Sequence, residues 1–289
     1  MHGHEQIYHL ARCYDVAFGF RNVDAECDTL TALVARHAQR PLASVLELAA
    51  GPARHAREFA RRGVSATALD ASPAMCNYAR HCAHRGGVTL ATVCADMVDF
   101  AHPQRFDLAL LAMDSISYLL DNDTVLRHLN CVAAHLLPGG LHVLEVSHPR
   151  DAFGVGTTNR SDWTSEADGL WVRMQWGAKG DAFDPVTQID EVTVTMSWRE
   201  TGAPGGVAGG VEGGAAPAAT QGELVERARQ RRFTANELDA LVRASGCFDI
   251  VEWLGALAPA LPFSNDAKAL RMVAVLRRRD VPAQCAGVG

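Results

Sequence analysis

From about Arg40 to His148 the chain alternates short, nearly continuous apolar runs with stretches whose apolar residues recur at helical spacing. This alternation limits the fold more than any other feature. An apolar run with no polar alternation cannot keep one face in water, so it belongs to a strand covered on both faces of a parallel sheet. The runs are Ser44 to Ala49, Val64 to Leu69, Val88 to Cys94, Phe106 to Met113 and Leu141 to Val146. Between them, Pro52 to Arg62 predicts a helix with proline at its first position and Gly63 as its stop. Ser72-Pro73 opens another helix, with serine as N-cap. Asp123 to Leu137 carries leucines and valines at helical spacing.

After Pro149 the texture changes. Trp171 to Trp176 and Ile189 to Trp198 alternate apolar and polar residues, the pattern of half-buried antiparallel strands. The run from Thr201 to Gly222 is almost all Gly, Ala, Pro and Thr, which predicts a mobile loop. Glu223 to Phe233 reads as a returning strand. Thr234 with Glu237 three residues on is a capping box for a helix to Ser245, stopped by Gly246. Phe248 to Leu254 and Leu270 to Leu276 are the last strands. The expected organisation is an N-terminal helical cap (1–40), a Rossmann-like core (41–150), an antiparallel lid insertion (151–233, with its mobile loop at 201–222), the C-terminal part of the core sheet (234–278) and a disordered tail (279–289).

Chemistry gathers at the ends of the strands. Glu47-Leu-Ala-Ala-Gly51-Pro is a strand end, a small-residue turn and a helix start, a ligand site at the carboxyl edge of a sheet. Small residues there let the backbone approach a ligand closely. Asp70 ends the second strand, where a carboxylate can accept from both hydroxyls of a ribose; its structural alternative is to favour the next helix N-terminus. Asp96 follows the third strand, suited to an exocyclic adenine amine, and Met97 can pack on the ring.

In this order the motifs resemble the class I methyltransferases that use S-adenosylmethionine (SAM). The matching pieces are Val45-Leu-Glu47-Leu-Ala-Ala-Gly51, Leu69-Asp70, Ala95-Asp96-Met97, Phe106-Asp107, Leu136-Leu-Pro138-Gly139-Gly140 and the late Ala244-Ser-Gly246-Cys-Phe248. The resemblance implies a seven-stranded, mostly parallel Rossmann-like sheet with helices on both faces, its last strand antiparallel between the fifth and sixth. It implies SAM as cofactor and S-adenosylhomocysteine (SAH) as product. The turn from Glu47 through Ala49 to Gly51 would hold the amino acid end, Asp70 the ribose, and Asp96 and Met97 the adenine. Ala71 and Met75, after the second strand, fall in the same cofactor set. Met113, Asp114 and Ser115 would lie between cofactor and acceptor, with Asp114 a catalytic candidate. Tyr8 and Tyr14 would close over the methionine end. This turn is poorer in glycine than is usual in the family, with Ala49 and Ala53 at places where glycine is common.

Transfer of a methyl from a sulfonium chiefly needs alignment, and a general base only where the acceptor carries a proton. His148, just past the fifth strand, is the candidate base; its structural alternative is a loop histidine bonded to backbone. The lid, with Trp163, Trp171, Trp176, Trp198, Arg160 and Arg173, suits an enclosed small molecule or short peptide methylated at nitrogen or oxygen. Those tryptophans equally suit a core. Two rivals stand beside this reading. One is another SAM chemistry on the same fold, such as cyclisation or a non-catalytic binding role. The other is an NAD-dependent oxidoreductase, which needs Gly or Ala where this chain has Arg54.

Composition narrows the partners. A net charge of −6 and a pI near 6.0 disfavour nucleic acid. No run reaches membrane-spanning length. The eight cysteines form no C-x-x-C pair, which points away from zinc or a disulfide framework and toward a reducing cytoplasm. His2 and His4 read as solvated. A homodimer stays open, and secondary metabolism suits the reading.

Overall fold

The computed structural model describes residues 6–153, 160–201 and 220–280. Strand β1 (Ser44–Leu48) is buried at all five positions and β4 (Phe106–Leu111) at all six, as continuous apolar runs require. Between and after them come β2 (Ser65–Asp70), β3 (Ala91–Cys94) and β5 (Leu136–Ser147). The chain later returns to this sheet as β11 (Phe248–Leu257), β12 (Ala260–Pro262) and β13 (Arg271–Arg278). The spatial order is β12-β11-β13-β5-β4-β1-β2-β3. β1 to β5 pair in parallel, while β13 runs antiparallel between β5 and β11. The seven expected strands are therefore present in the expected order, with the short β12 added at one edge.

Two buried layers clamp the sheet. One packs Leu30, Leu33 and Val34 of α3 (Val23–His37) and Phe59 of α4 (Arg54–Arg61) against Val45, Leu108 and Val143. The opposite layer packs Val125, Leu129 and Val132 of α6 (Asn122–His135) and, beyond the short α7 (Pro149–Phe153), Leu238 and Val242 of α8 (Ala235–Ser245) against Leu46, Ala109 and Leu144. Helix α5 (Pro73–Arg85) begins as its sequence predicts, with the Ser72 side chain accepting from Met75 N–H. Helix α8 carries the full Thr234–Glu237 capping box and ends at Gly246 in the left-handed region.

A second, antiparallel sheet is built from β6 (Ser161–Ala167), β7 (Leu170–Trp176), β9 (Ile189–Glu200) and β10 (Gln221–Arg231), with β8 (Phe183–Asp184) paired to β9. One face of it buries Val172, Met174, Val192, Val194 and Met196 against Ile7 of α1 (Gln6–His9) and Cys13, Val16 and Ala17 of α2 (Ala11–Ala17). The N-terminal helices are thus seated between this sheet and α5. The expected mobile loop and tail fall mostly outside the described residues, as do His2, His4 and Cys285.

The start of α4 moves from its expected place for a local reason. Pro52 does not open α4. Ala53 takes a left-handed conformation and its N–H bonds the Ala50 carbonyl at 2.7 Å, so the helix starts at Arg54.

Candidate functional site

The sheet changes winding direction between β1 and β4, and a ligand crevice forms beyond the carboxyl ends of strands at such a point. A cavity of about 1160 Å³ lies there. Its lining includes Tyr14, Glu47, Ala49, Gly51, Asp70, Ala71, Asp96, Met97, Met113, Asp114 and Ser115. The strand-end residues singled out by sequence are therefore brought to one place. Met75 is the exception: it is fully buried on α5 and does not line the cavity. Its position follows the helix's inward stripe with Cys76 and Ala79, so packing claims the side chain.

The turn after β1 alternates into the left-handed region at Ala49, Gly51 and Ala53, with φ of 45°, 51° and 56°. Alanine pays roughly 1–2 kcal/mol there, yet the turn keeps this shape without the usual glycines. Its register is pinned from β2, because Asp70 accepts from Gly51 N–H at 2.7 Å and from Ser72 N–H at 2.8 Å. One Asp70 oxygen serves each bond, and each carboxylate oxygen has a further acceptor site. Burial pushes the Asp70 carboxyl up, against the pull of these two N–H groups. Asp96 is exposed and accepts from Val98 N–H at 2.9 Å, while Met97 behind it is buried.

A second strained turn ends β4. Met113 and Asp114 both have positive φ, 58° and 60°, an uncommon pair for side chains of this size. Glu145 of β5 holds them: its carboxylate accepts from Met113 N–H at 3.0 Å and its carbonyl from Asp114 N–H at 3.1 Å. The Asp114 carboxylate accepts from Ser147 N–H and Oγ–H at 2.9 and 2.7 Å and from Arg232 at 3.1 Å. Burial pushes its carboxyl above the usual range, against Arg232 and Ser147. Arg232 is itself 5% exposed and also donates to Asp190 and Gln230.

Aromatic rings wall the cavity: Tyr8, Tyr14, Phe18, Phe20, Tyr118, Trp163 and Trp176 are in its lining. The Tyr8 hydroxyl donates to Tyr118 at 2.9 Å. Trp163 donates to the Ala17 carbonyl, which ties the antiparallel sheet to α2, and Trp176 donates to Gln230, which links β7 to β10 within the sheet. Trp171 lies under Arg199 and Trp198 packs in the inter-sheet layer, so neither lines the cavity. Arg160 and Arg173 are exposed outside it, and Arg173 pairs with Asp162.

His148 does not meet the requirement for a base. Its Nδ1 accepts from Arg150 N–H at 3.2 Å, so Nε2 carries the ring proton and donates to the Ser264 carbonyl at 3.0 Å. Both nitrogens are engaged, and the ring does not line the main cavity. The histidine pins the segment after β5 to the loop before β13. Arg54, the residue that departs from a dinucleotide fingerprint, turns to α2 and binds Asp15 at 2.5 Å.

Beneath the turn lies a buried set that sequence reasoning missed. His55 Nδ1 faces Glu47 at 3.1 Å and Nε2 faces Glu26 at 2.7 Å. Arg21 bridges Glu26 and Glu145, both at 2.9 Å. Arg271 stands 3.6 Å from Glu145. Of these, Glu47 belongs to the strand-end motif read in sequence, and His55 sits directly after its turn. Arg21, Glu26, Arg232 and Asp190 come from elements with no such signal.

Comparison with known proteins agrees with this geometry. Residues 45–140 match the family model described as a methyltransferase domain. The match supports the resemblance of the core to class I SAM-dependent methyltransferases. It is 31% identical over 138 residues to dTDP-3-amino-3,6-dideoxy-alpha-D-glucopyranose N,N-dimethyltransferase of Streptomyces fradiae, a match covering 47% of this chain and 52% of that relative. The match thus spans about half the length of that curated relative. Among solved structures, a SAM-dependent methyltransferase of Clostridium acetobutylicum superposes with a TM-score of 0.69 at 15% identity, covering 93% of this chain and 98% of that one. DesVI of Streptomyces venezuelae gives 0.68 at 21% identity, covering 92% and 97%. These likenesses establish the Rossmann-like fold over nearly the whole chain.

Proposed function

We propose that this chain transfers the methyl group of SAM to an amine of a small molecule, and that amino sugars are the acceptor class to which it is suited. One observation carries the reading: a single cavity joins the strand-end carboxylates to the aromatic wall of the antiparallel sheet. At about 1160 Å³ it exceeds the roughly 300–1,000 Å³ of an ordinary ligand site, room for a cofactor and an acceptor together. The named activity of the Streptomyces fradiae relative, N,N-dimethylation of an amino sugar, supports the acceptor class.

The residues present fit the cofactor. Asp70 takes the ribose hydroxyls on its remaining acceptor sites, Asp96 takes the adenine amine and Met97 packs on the ring. The turn from Glu47 to Gly51, with Ala71 beside it, holds the amino acid end under Tyr14. SAM, when bound, supplies a methyl already activated by its sulfonium. The protein's share is then alignment and exclusion of water. Met113, Asp114 and Ser115 line the passage to the acceptor, and Asp114, fixed by Ser147 and Arg232, orients it. Trp163 and Trp176 enclose it from the antiparallel sheet, which acts as the substrate lid. No fixed base is required, because an amine that enters with its lone pair free loses its proton to water after transfer. The reading extends to a cytoplasmic enzyme acting on metabolites, supported by a net charge of −6 that disfavours nucleic acid.

The test is incubation with SAM and a panel of free and nucleotide-linked amino sugars, reading SAH release and the mass of the acceptor. Acceptor-dependent SAH with one or two added methyl groups is the expected outcome. SAM consumption at the same rate without any acceptor would contradict it and favour another SAM chemistry.

A further inference from the structure

Both ring nitrogens of His55 point at carboxylate oxygens, Nδ1 at Glu47 and Nε2 at Glu26. A neutral imidazole has one N–H, so it would turn a lone pair toward one of two carboxylates. Only the doubly protonated ring donates to both. The charge count agrees. Buried Arg21 and His55, with the partly exposed Arg271 beside them, carry three positive charges against three buried negative ones on Glu26, Glu47 and Glu145. With His55 neutral, the set would keep an uncompensated buried negative charge, which is costly.

The bridge also has a place in the fold. Glu47 is the penultimate residue of β1, and its second oxygen accepts from Ala56 N–H at 2.7 Å, fastening the start of α4 behind the left-handed turn. Glu26 lies on α3 and Arg21 on the segment before it, and Arg21 reaches on to Glu145 under Met113. We propose that His55, as an imidazolium, is a positioning residue for the cofactor turn: it locks Glu47 and the Ala49–Ala53 backbone to the N-terminal cap, and loss of its proton loosens the turn and weakens cofactor binding. This rests on the SAM-binding reading above. Burial opposes the proton, but the bonds to Glu26 and Glu47 outweigh it and push the imidazole up to about 9. Other ionisable groups nearby are Cys27 on α3, whose thiol burial pushes up, and Glu58 on the next turn of α4, which is engaged by Arg61 and Arg62. Neither touches the ring.

The experiment is SAH affinity by calorimetry from pH 7 to 10.5 for the wild type and His55→Gln. The ratio of the two dissociation constants at each pH cancels ionisation of the ligand's own amine. The expected ratio is about tenfold at pH 7.5, closing toward one above pH 10, as the wild type loses the same bridge the variant lacks. A ratio that stays flat overturns the proposal. Nitrogen-15 spectra of the wild-type ring give a second reading that needs no variant. Two protonated nitrogens at pH 7.5 support the bridge, and one protonated nitrogen overturns it. A wild type that binds no SAH at any pH, with the ring doubly protonated, overturns the functional reading and the cofactor role of His55 with it, leaving a structural ion bridge.

Discussion

His55 and the His128–His142 pair sit on opposite faces of one sheet, and their surroundings drive them to different charge states, one cationic and the other neutral. All three rings are buried, at 4%, 0% and 0% exposed. Burial penalises the imidazolium in each case. His55 meets two carboxylates and is pushed up to about 9. His128 and His142 meet each other at 3.2 Å and the carbonyls of Met97 and Ala109. Burial brings them down to about 4 and about 3, the carbonyl contacts opposing it. The difference teaches that burial alone does not fix the state of a histidine; the charges it faces do. One ring is an ionic bolt under the cofactor turn, and the other two form a neutral spacer behind Met97, their two ring protons serving two of its three polar contacts.

The largest expected effect comes from breaking the ionic side. Glu26→Ala leaves His55 and Arg21 facing a lost partner, and removing one member of a buried ion set costs about 3–5 kcal/mol. Urea unfolding checks it, and a loss below about 1 kcal/mol would mean that the set is solvated or weakly coupled. The neutral side should break more gently. His128→Leu leaves the Met97 carbonyl and one His142 nitrogen without a partner, a cost of about 1–3 kcal/mol. Adding His142→Leu should cost less than it does alone, because the two rings share one contact.

A pH series sharpens the same contrast. His55 is raised from 6.5 to about 9, so its contribution is complete below pH 6.5 and is lost as pH rises through 9. His128 and His142 are depressed from 6.5, so the unfolded chain binds more protons below 6.5 and stability falls as pH drops from there toward 3 to 4. Thermal midpoints should therefore decline on both sides. His55→Gln should flatten the alkaline limb and His128→Leu the acid limb. An alkaline limb that persists unchanged in His55→Gln would assign it to another group.

Much of the fold could be read from the chain because its signals are local. Continuous apolar runs gave β1 and β4, and the Ser72 and Thr234 caps marked α5 and α8 to the residue. β6 went unread since its Ser-Asp-Trp-Thr-Ser-Glu-Ala sequence is mostly exposed; only pairing with β7 makes it a strand. β5 begins at Leu136, earlier than expected, because Pro138-Gly139-Gly140 reads as a turn but lies within the strand. Gly140 fits there where an added Cβ would stand 2.9 Å from the Leu137 carbonyl. In the site, acids at strand ends were legible because chain order and sheet topology put them at one edge. The pairs Arg232–Asp190 and Arg21–Glu145 were not, since their members are 42 and 124 positions apart and no local pattern links them. His148 misled because a histidine past a strand end looks available until its two backbone partners are seen.

Calorimetric titration of SAM, SAH and NAD into the wild type and Asp70→Ala shows whether this cleft is built for SAM. Micromolar binding of both adenosyl compounds and none of NAD is the expected result, with the variant weakened about tenfold or more by loss of charge-assisted bonds to the ribose. Binding of NAD without SAM, or adenosyl affinity unchanged in Asp70→Ala, would contradict it.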